Sequence, residues 1–234
     1  MESVFRKIES DLRLKHIFES VRPNYENSND PGHDLAHIYR VMSQALKIGL
    51  IEGANLDILL PAALLHDIVN VPKNHPDRLL ASRQAAEAAV HLLQKSSYSD
   101  EEIEKIQQVI VEHSFSLGLK PTSLESKIMQ DADRLDAIGA IGILRTASAG
   151  VRMGARYYHP SQPFAEMNVD SGGSRTLDDR SFTLDHFHVK LYRLGEGFHT
   201  STAQAEAKRR ISFMKKFEEE LALEIAPAIQ NRIR

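Results

Sequence analysis

One spacing governs this chain from its first residues to its last. Apolar side chains return every three to four positions, the interval that stacks them along one side of an α-helix, and no stretch makes a convincing strand. Ile38, Val41, Met42, Ala45 and Ile48 form such a stripe. Ile103, Ile106, Val109 and Ile110 form another, and Ile211, Met214, Phe217, Leu221 and Ile225 a third. At the start, Val4, Ile8, Leu12, Ile17, Phe18 and Val21 read as one opening helix closed by Arg22 and Pro23. The pattern predicts an all-α, single-domain helical bundle over residues 1–234, with no internal repeat, low-complexity tract or clear linker.

The breaks in that spacing divide the bundle. Residues 24–32 are dense in turn formers and read as an exposed loop. A short helix is expected to begin at Pro61, where the missing N–H costs nothing, and to carry Ala62, Ala63, Leu64 and Leu65 into the core. Residues 71–76 break the pattern, and Asp77 opens an alanine-rich helix to about Lys95. Ser99 and Glu102 have the spacing of a reciprocal capping box. A further helix is expected over 124–135, and Gly139 and Gly142 beyond it suit close helix packing. Residues 159–183 keep no period and are expected to be a long loop of the kind used as a lid or mobile segment. Helical spacing then resumes over 184–194 and 202–229.

Composition limits the chemistry. With 42% hydrophobic and 26% charged residues over 234 positions, the chain is an ordinary globular protein large enough to bury a core. The first residues lack the basic start and apolar run of a secretory signal, so a cytoplasmic location is expected. The absence of cysteine excludes disulfides, thiolate catalysis and cysteine-held zinc, leaving His, Asp and Glu as metal ligands. A net charge of −3 offers no general attraction for a nucleic acid polymer.

Within that set, His66 and Asp67 end an apolar run. Adjacent helical residues point about 100° apart, which lets an imidazole nitrogen and a carboxylate oxygen meet one ion beside a helix end. His37 lies beside an apolar stripe, Asp133 in an acidic cluster, and His113 at a helix end. Each has an ordinary structural explanation when taken alone.

Their order carries more. His37, Ile38, Tyr39, Arg40 and Val41, then Ala62 through His66 and Asp67, then Asp131, Ala132, Asp133, Arg134 and Leu135 together resemble the HD-domain metal-dependent phosphohydrolase superfamily. The resemblance covers residues 32–142 by motif. More loosely, it extends over Leu184 to Leu191, which are similar to the trailing helix of small stand-alone bacterial members. It implies metal ligation by His37, His66, Asp67 and Asp133, the last chosen over Asp131 because the family motif is Ala-Asp-Arg-Leu. Several relatives carry a glutamate a few residues after the His-Asp pair. Here Asn70 stands nearby and cannot accept a proton at neutral pH.

Two imidazoles and two carboxylates suit one divalent transition metal such as Mn, Fe, Co, Ni or Zn, with Mg as a further candidate. Such an ion polarises a phosphoryl oxygen and acidifies a water. Asp67 is then the candidate to orient or deprotonate that water, and His113 to contact the leaving oxygen. Arg40, on the His37 face, with Lys73, Arg134 and Lys190, supplies candidate phosphate contacts. The expected activity is hydrolysis of a phosphoester or phosphoanhydride in a small molecule, most simply a nucleotide. Oligomers are compatible with this reading. The alternative is an HD-fold regulator that binds metal and nucleotide without turnover. A di-iron oxygenase would need further ligands that the sequence does not supply.

Overall fold

The computed structural model describes residues 2–28, 30, 32–69, 71, 80–114, 117–164 and 175–230, with side chains described to 225. The described residues are all-α, and the contacts group them into two units, Met1–Asp136 with His199–Ala203 and Ala137–Phe198 with Gln204–Arg234. Among them no helix is long and apolar enough to cross a membrane.

In the first unit the expected opening helix is two, α1 (Glu2–Ser10) and α2 (Leu12–Glu26). Asp11 causes the break. Its carboxylate accepts hydrogen bonds from the N–H groups of Arg13 at 3.1 Å and Leu14 at 3.2 Å, capping a new start. Leu12, placed in the stripe from its spacing, is consequently 82% exposed. α2 also runs through Pro23, and the loop begins at residue 27.

α3 (Leu35–Glu52) is capped by Asp34 and ends at Gly53, whose φ of 78° is the left-handed conformation that glycine adopts without steric cost. α4 (Leu56–Leu65) starts five residues before the expected Pro61, because the Asn55 side chain caps it by accepting from the Asp57 N–H at 3.0 Å. The proline is tolerated inside because every residue from Ile58 to Leu65 is buried. A helix apolar on all sides is stabilised by packing rather than by its own ladder. α3, α6 (Asp100–Glu112) and α7 (Leu124–Asp136) pack around α4, and α5 (Ala81–Lys95) packs on α6. The expected start of α5 at Asp77 lies outside the described residues. The Ser99–Glu102 capping box is formed.

In the second unit α8 (Gly139–Arg152) is followed by an isolated parallel bridge between Arg156 and Phe182. Of the expected loop 159–183, the described flanks are held in place. Arg175 Nε donates to the Gln162 carbonyl at 2.9 Å, and its two terminal nitrogens fork onto the buried Asp185 carboxylate at 2.5 and 2.6 Å. The helix expected over 184–194 is present over 185–194, with its middle, Phe187–Leu191, wound as a π-helical turn that continues into α9 (Tyr192–Leu194). Glu218 of α10 (Ser201–Gln230) anchors this turn, accepting from the Tyr192 hydroxyl and lying 2.8 Å from His188 Nε2.

Candidate metal centre

Three helices of the first unit deliver four candidate ligands to one point. His37 lies in the first turn of α3, its N–H held by the Asp34 cap at 2.8 Å. His66 is the C-cap of α4 and Asp67 follows it, so the central apolar helix ends on this pair. Asp133 projects from α7.

The donor atoms converge. His37 Nε2 lies 3.4 Å from His66 Nε2, 3.5 Å from Asp67 Oδ2 and 3.7 Å from Asp133 Oδ1. His66 Nε2 is 3.4 Å from Asp67 Oδ2 and 3.9 Å from Asp133 Oδ1. Atoms ~2.1 Å from a common ion lie about 3.0 Å apart at right angles and about 3.4 Å apart at the tetrahedral angle. The observed separations match a set that contracts slightly around a divalent cation. The imidazoles are almost fully buried, whereas the Asp67 and Asp133 side chains are 17% and 32% exposed, so the carboxylate side faces solvent.

The far ring nitrogens are all engaged. His66 Nδ1 lies 2.9 Å from the carbonyl of Ala63 and His113 Nδ1 2.5 Å from that of Ile110. A carbonyl only accepts, so each Nδ1 carries a proton and Nε2 is the ring nitrogen turned toward the centre. His37 Nδ1 sits 2.8 Å from Asp136 Oδ2. Asp136 is in turn gripped by Arg40, whose Nε and Nη2 donate to its two oxygens at 2.6 and 3.0 Å.

Charge dominates the electrostatics. Burial disfavours a charged His37 ring, but the Asp136, Asp67 and Asp133 carboxylates outweigh it and raise its pKa to about 9. Burial opposes ionisation of Asp67, yet the His66 and His37 rings hold its carboxyl well below the usual range. His113 goes the other way. Its burial, reinforced by His66, lowers its pKa and keeps the ring neutral.

Two more histidines border the cluster. The His113 ring meets the His66 ring edge-on with centroids 5.0 Å apart, and a nitrogen of His113 joins His66 and Asp67 in a second group of donors within 4.8 Å of one another. His33 Nε2 lies 3.8 Å from Asp67 Oδ2, and its Nδ1 is 2.9 Å from Asp30.

Of the candidate phosphate contacts, Arg40 and Arg134 belong to the first unit. Arg40 is committed to Asp136, and Arg134 is 5% exposed on α7. Lys190 is an exposed residue of the π-helical turn in the second unit. Lys73 and Asn70 lie outside the described residues. Sequence reasoning missed Asp136 as the partner of His37. The available signal was its place three residues after Asp133, one turn along the same helix.

The chain is similar to known proteins in sequence and in fold. The HD domain profile matches residues 34–138. The Bacillus subtilis protein YpgQ is 32% identical over 206 residues, covering 83% of this chain and 85% of that one. A crystal structure of YpgQ in complex with ADP superposes with a TM-score of 0.67 at 31% identity, covering 92% of this chain and 97% of the other. A Bacillus thuringiensis HD-superfamily hydrolase gives a TM-score of 0.65 at 31% identity, with 94% and 96% covered.

Proposed function

The chain belongs to the HD-domain phosphohydrolase superfamily and is a metal-dependent phosphohydrolase; from that premise we propose that it hydrolyses a phosphoester or phosphoanhydride bond of a nucleotide, with His37, His66, Asp67 and Asp133 holding the metal. The observation that carries this reading is that the Asp67 and Asp133 carboxylates each lie within 3.9 Å of both the His37 and His66 Nε2 atoms, while the Nδ1 atoms of both imidazoles are held elsewhere. The ADP-bound structure of YpgQ supports a nucleotide as the substrate class.

When bound, a divalent ion supplies Lewis-acid polarisation of the phosphoryl oxygen and acidity to the attacking water. Asp67, ionised and solvent-facing, accepts a hydrogen bond from that water and orients its lone pair toward phosphorus. His113 stays neutral, with its proton fixed on Nδ1 by the Ile110 carbonyl. Its Nε2 therefore contacts water or substrate as an acceptor, since donation to a leaving oxygen would require a second proton that burial opposes. The four histidines and the helix ends behind them shield the inner side of the site, leaving approach from the carboxylate side.

Phosphate or pyrophosphate release from a panel of nucleotides, measured with Mn²⁺, Co²⁺, Ni²⁺, Zn²⁺ and Mg²⁺, tests the proposal. Turnover that disappears in Asp67→Ala and His66→Ala supports it. Metal uptake and nucleotide binding with no turnover under any metal would favour the regulator instead.

A further inference from the structure

Arg40 was expected to meet a substrate phosphate, but its guanidinium is forked onto a carboxylate of this chain. Nε and Nη2 take both oxygens of Asp136, and Asp136 Oδ2 is also 2.8 Å from His37 Nδ1. Asp136 is 2% exposed and His37 1%, whereas the Arg40 side chain is 26% exposed. A relay thus runs inward from a half-buried cation through a buried carboxylate to the outer nitrogen of a candidate ligand. Left to itself, an imidazole on a helix can flip and exchange its proton between nitrogens. Only one of those states presents Nε2 as a lone pair to the donor cluster.

We propose that Asp136, itself oriented by Arg40, is a positioning residue that fixes the His37 ring with its Nδ1–H outward and Nε2 toward the metal. The inference rests on the ligand assignment made above. A carboxylate behind a ligating imidazole also raises the basicity of the ligating nitrogen, and loss of such a partner typically weakens metal binding 10- to 100-fold. The relay gives Arg40 a role through Asp136 rather than through substrate. The two residues come from α3 and α7, so the same fork ties together the helices that carry His37 and Asp133.

The test measures zinc affinity by chelator competition in the wild type, Asp136→Ala, Asp136→Asn, Arg40→Gln and the Asp136→Ala, Arg40→Gln double variant, each checked for helical content. Asp136→Ala should bind zinc 10- to 100-fold more weakly. Asp136→Asn, which keeps an acceptor oxygen, should recover part of the loss. Arg40→Gln alone should weaken zinc binding, and should add nothing once Asp136 is gone. In the zinc-loaded wild type the His37 Nδ1 proton should give a downfield, slowly exchanging resonance that Asp136→Ala abolishes. Unchanged zinc affinity in Asp136→Ala overturns the inference. So does an Arg40→Gln variant that binds zinc normally but has a raised KM at saturating metal, because that is the signature of a phosphate contact. His37→Ala separates the two levels. If it retains wild-type zinc affinity, the ligand assignment fails; if it loses zinc while Asp136→Ala does not, only the positioning role fails.

Discussion

The hydroxyl of Tyr25 donates to the main-chain carbonyl of Leu64 at 2.7 Å, two residues before His66. That carbonyl belongs to the last turn of α4, where no later helical N–H is available to it. Burial, with a contribution from Asp67, pushes the Tyr25 phenol well above its ordinary pKa, so it remains a donor at any physiological pH. A residue of α2 thereby closes the end of the helix that presents His66 and Asp67.

Tyr25→Phe keeps the ring but leaves this carbonyl without its partner. The expected cost is about 1–3 kcal/mol, read as a lower urea midpoint at unchanged slope. An unaltered midpoint would show that the bond is not needed to finish α4.

Metal should stabilise the native chain by mass action. At a free concentration 100 times its dissociation constant, a divalent ion adds ~2.7 kcal/mol, equivalent to a melting temperature higher by roughly 5–10 °C for a chain of this size. EDTA should reverse the rise, and His66→Ala and Asp133→Ala should not show it. Equal melting temperatures with and without metal in the wild type would argue against a folded-state site.

Ser97 follows the C-terminus of α5 with a φ of 62°, and the chain closes there as a Schellman motif. Its own N–H donates to Gln94 at 3.1 Å and the Tyr98 N–H to Leu93 at 3.2 Å. A side chain in this left-handed conformation costs on the order of 1 kcal/mol relative to glycine. Ser97→Gly should therefore raise the melting temperature by about 2–4 °C. A drop in thermal scans would mean that the hydroxyl contributes more than the strain removed.

Glu206 sits between Arg209, which donates from Nε and Nη2 at 2.9 and 2.7 Å, and Arg210, which donates from Nε at 2.8 Å. The Arg209 hydrogen bonds chiefly lower its pKa from 4.5 to about 2, with burial opposing and Arg210 assisting. A folded-state pKa below the unfolded one gives stability that is present above pH 4.5 and fades as pH falls toward 2. Glu206→Gln should thus melt below the wild type at neutral pH, with the gap narrowing on acidification from pH about 5 toward about 2. A gap independent of pH would place the effect in packing.

The legible parts of the fold were those written locally. The Ser99 and Glu102 box and the buried stripes of α3 and α6 follow from neighbouring residues, whereas in the α10 stripe Met214 and Ile225 are buried and Phe217 is exposed. The boundaries misread were contests between local signals. Asp11 and Asn55 are strong helix caps, but Leu12 fitted an apolar stripe and Pro61 offered a more familiar start. Burial of Ile58 to Leu65 settled the second contest, which no local rule weighs. At the candidate site, the family resemblance implied His37, His66, Asp67 and Asp133, and the structure sets both carboxylates within 3.9 Å of both imidazole Nε2 atoms. It could not give the destination of Arg40. A guanidinium one turn from His37 looks available for phosphate until α7 brings Asp136 against it from far along the chain.

That dependence on α7 also sets a schedule. A chain emerging from the ribosome has made His37, His66 and Asp67 well before it reaches Asp133 and Asp136. Until then the nascent protein holds three of the four proposed donors, and Asp136 is not yet there to meet the His37 ring from behind. On the proposed ligand set, full-strength capture of an ion waits on the arrival of α7, and a polypeptide stalled or truncated before that helix would have neither the proposed fourth donor nor the proposed brace for the first.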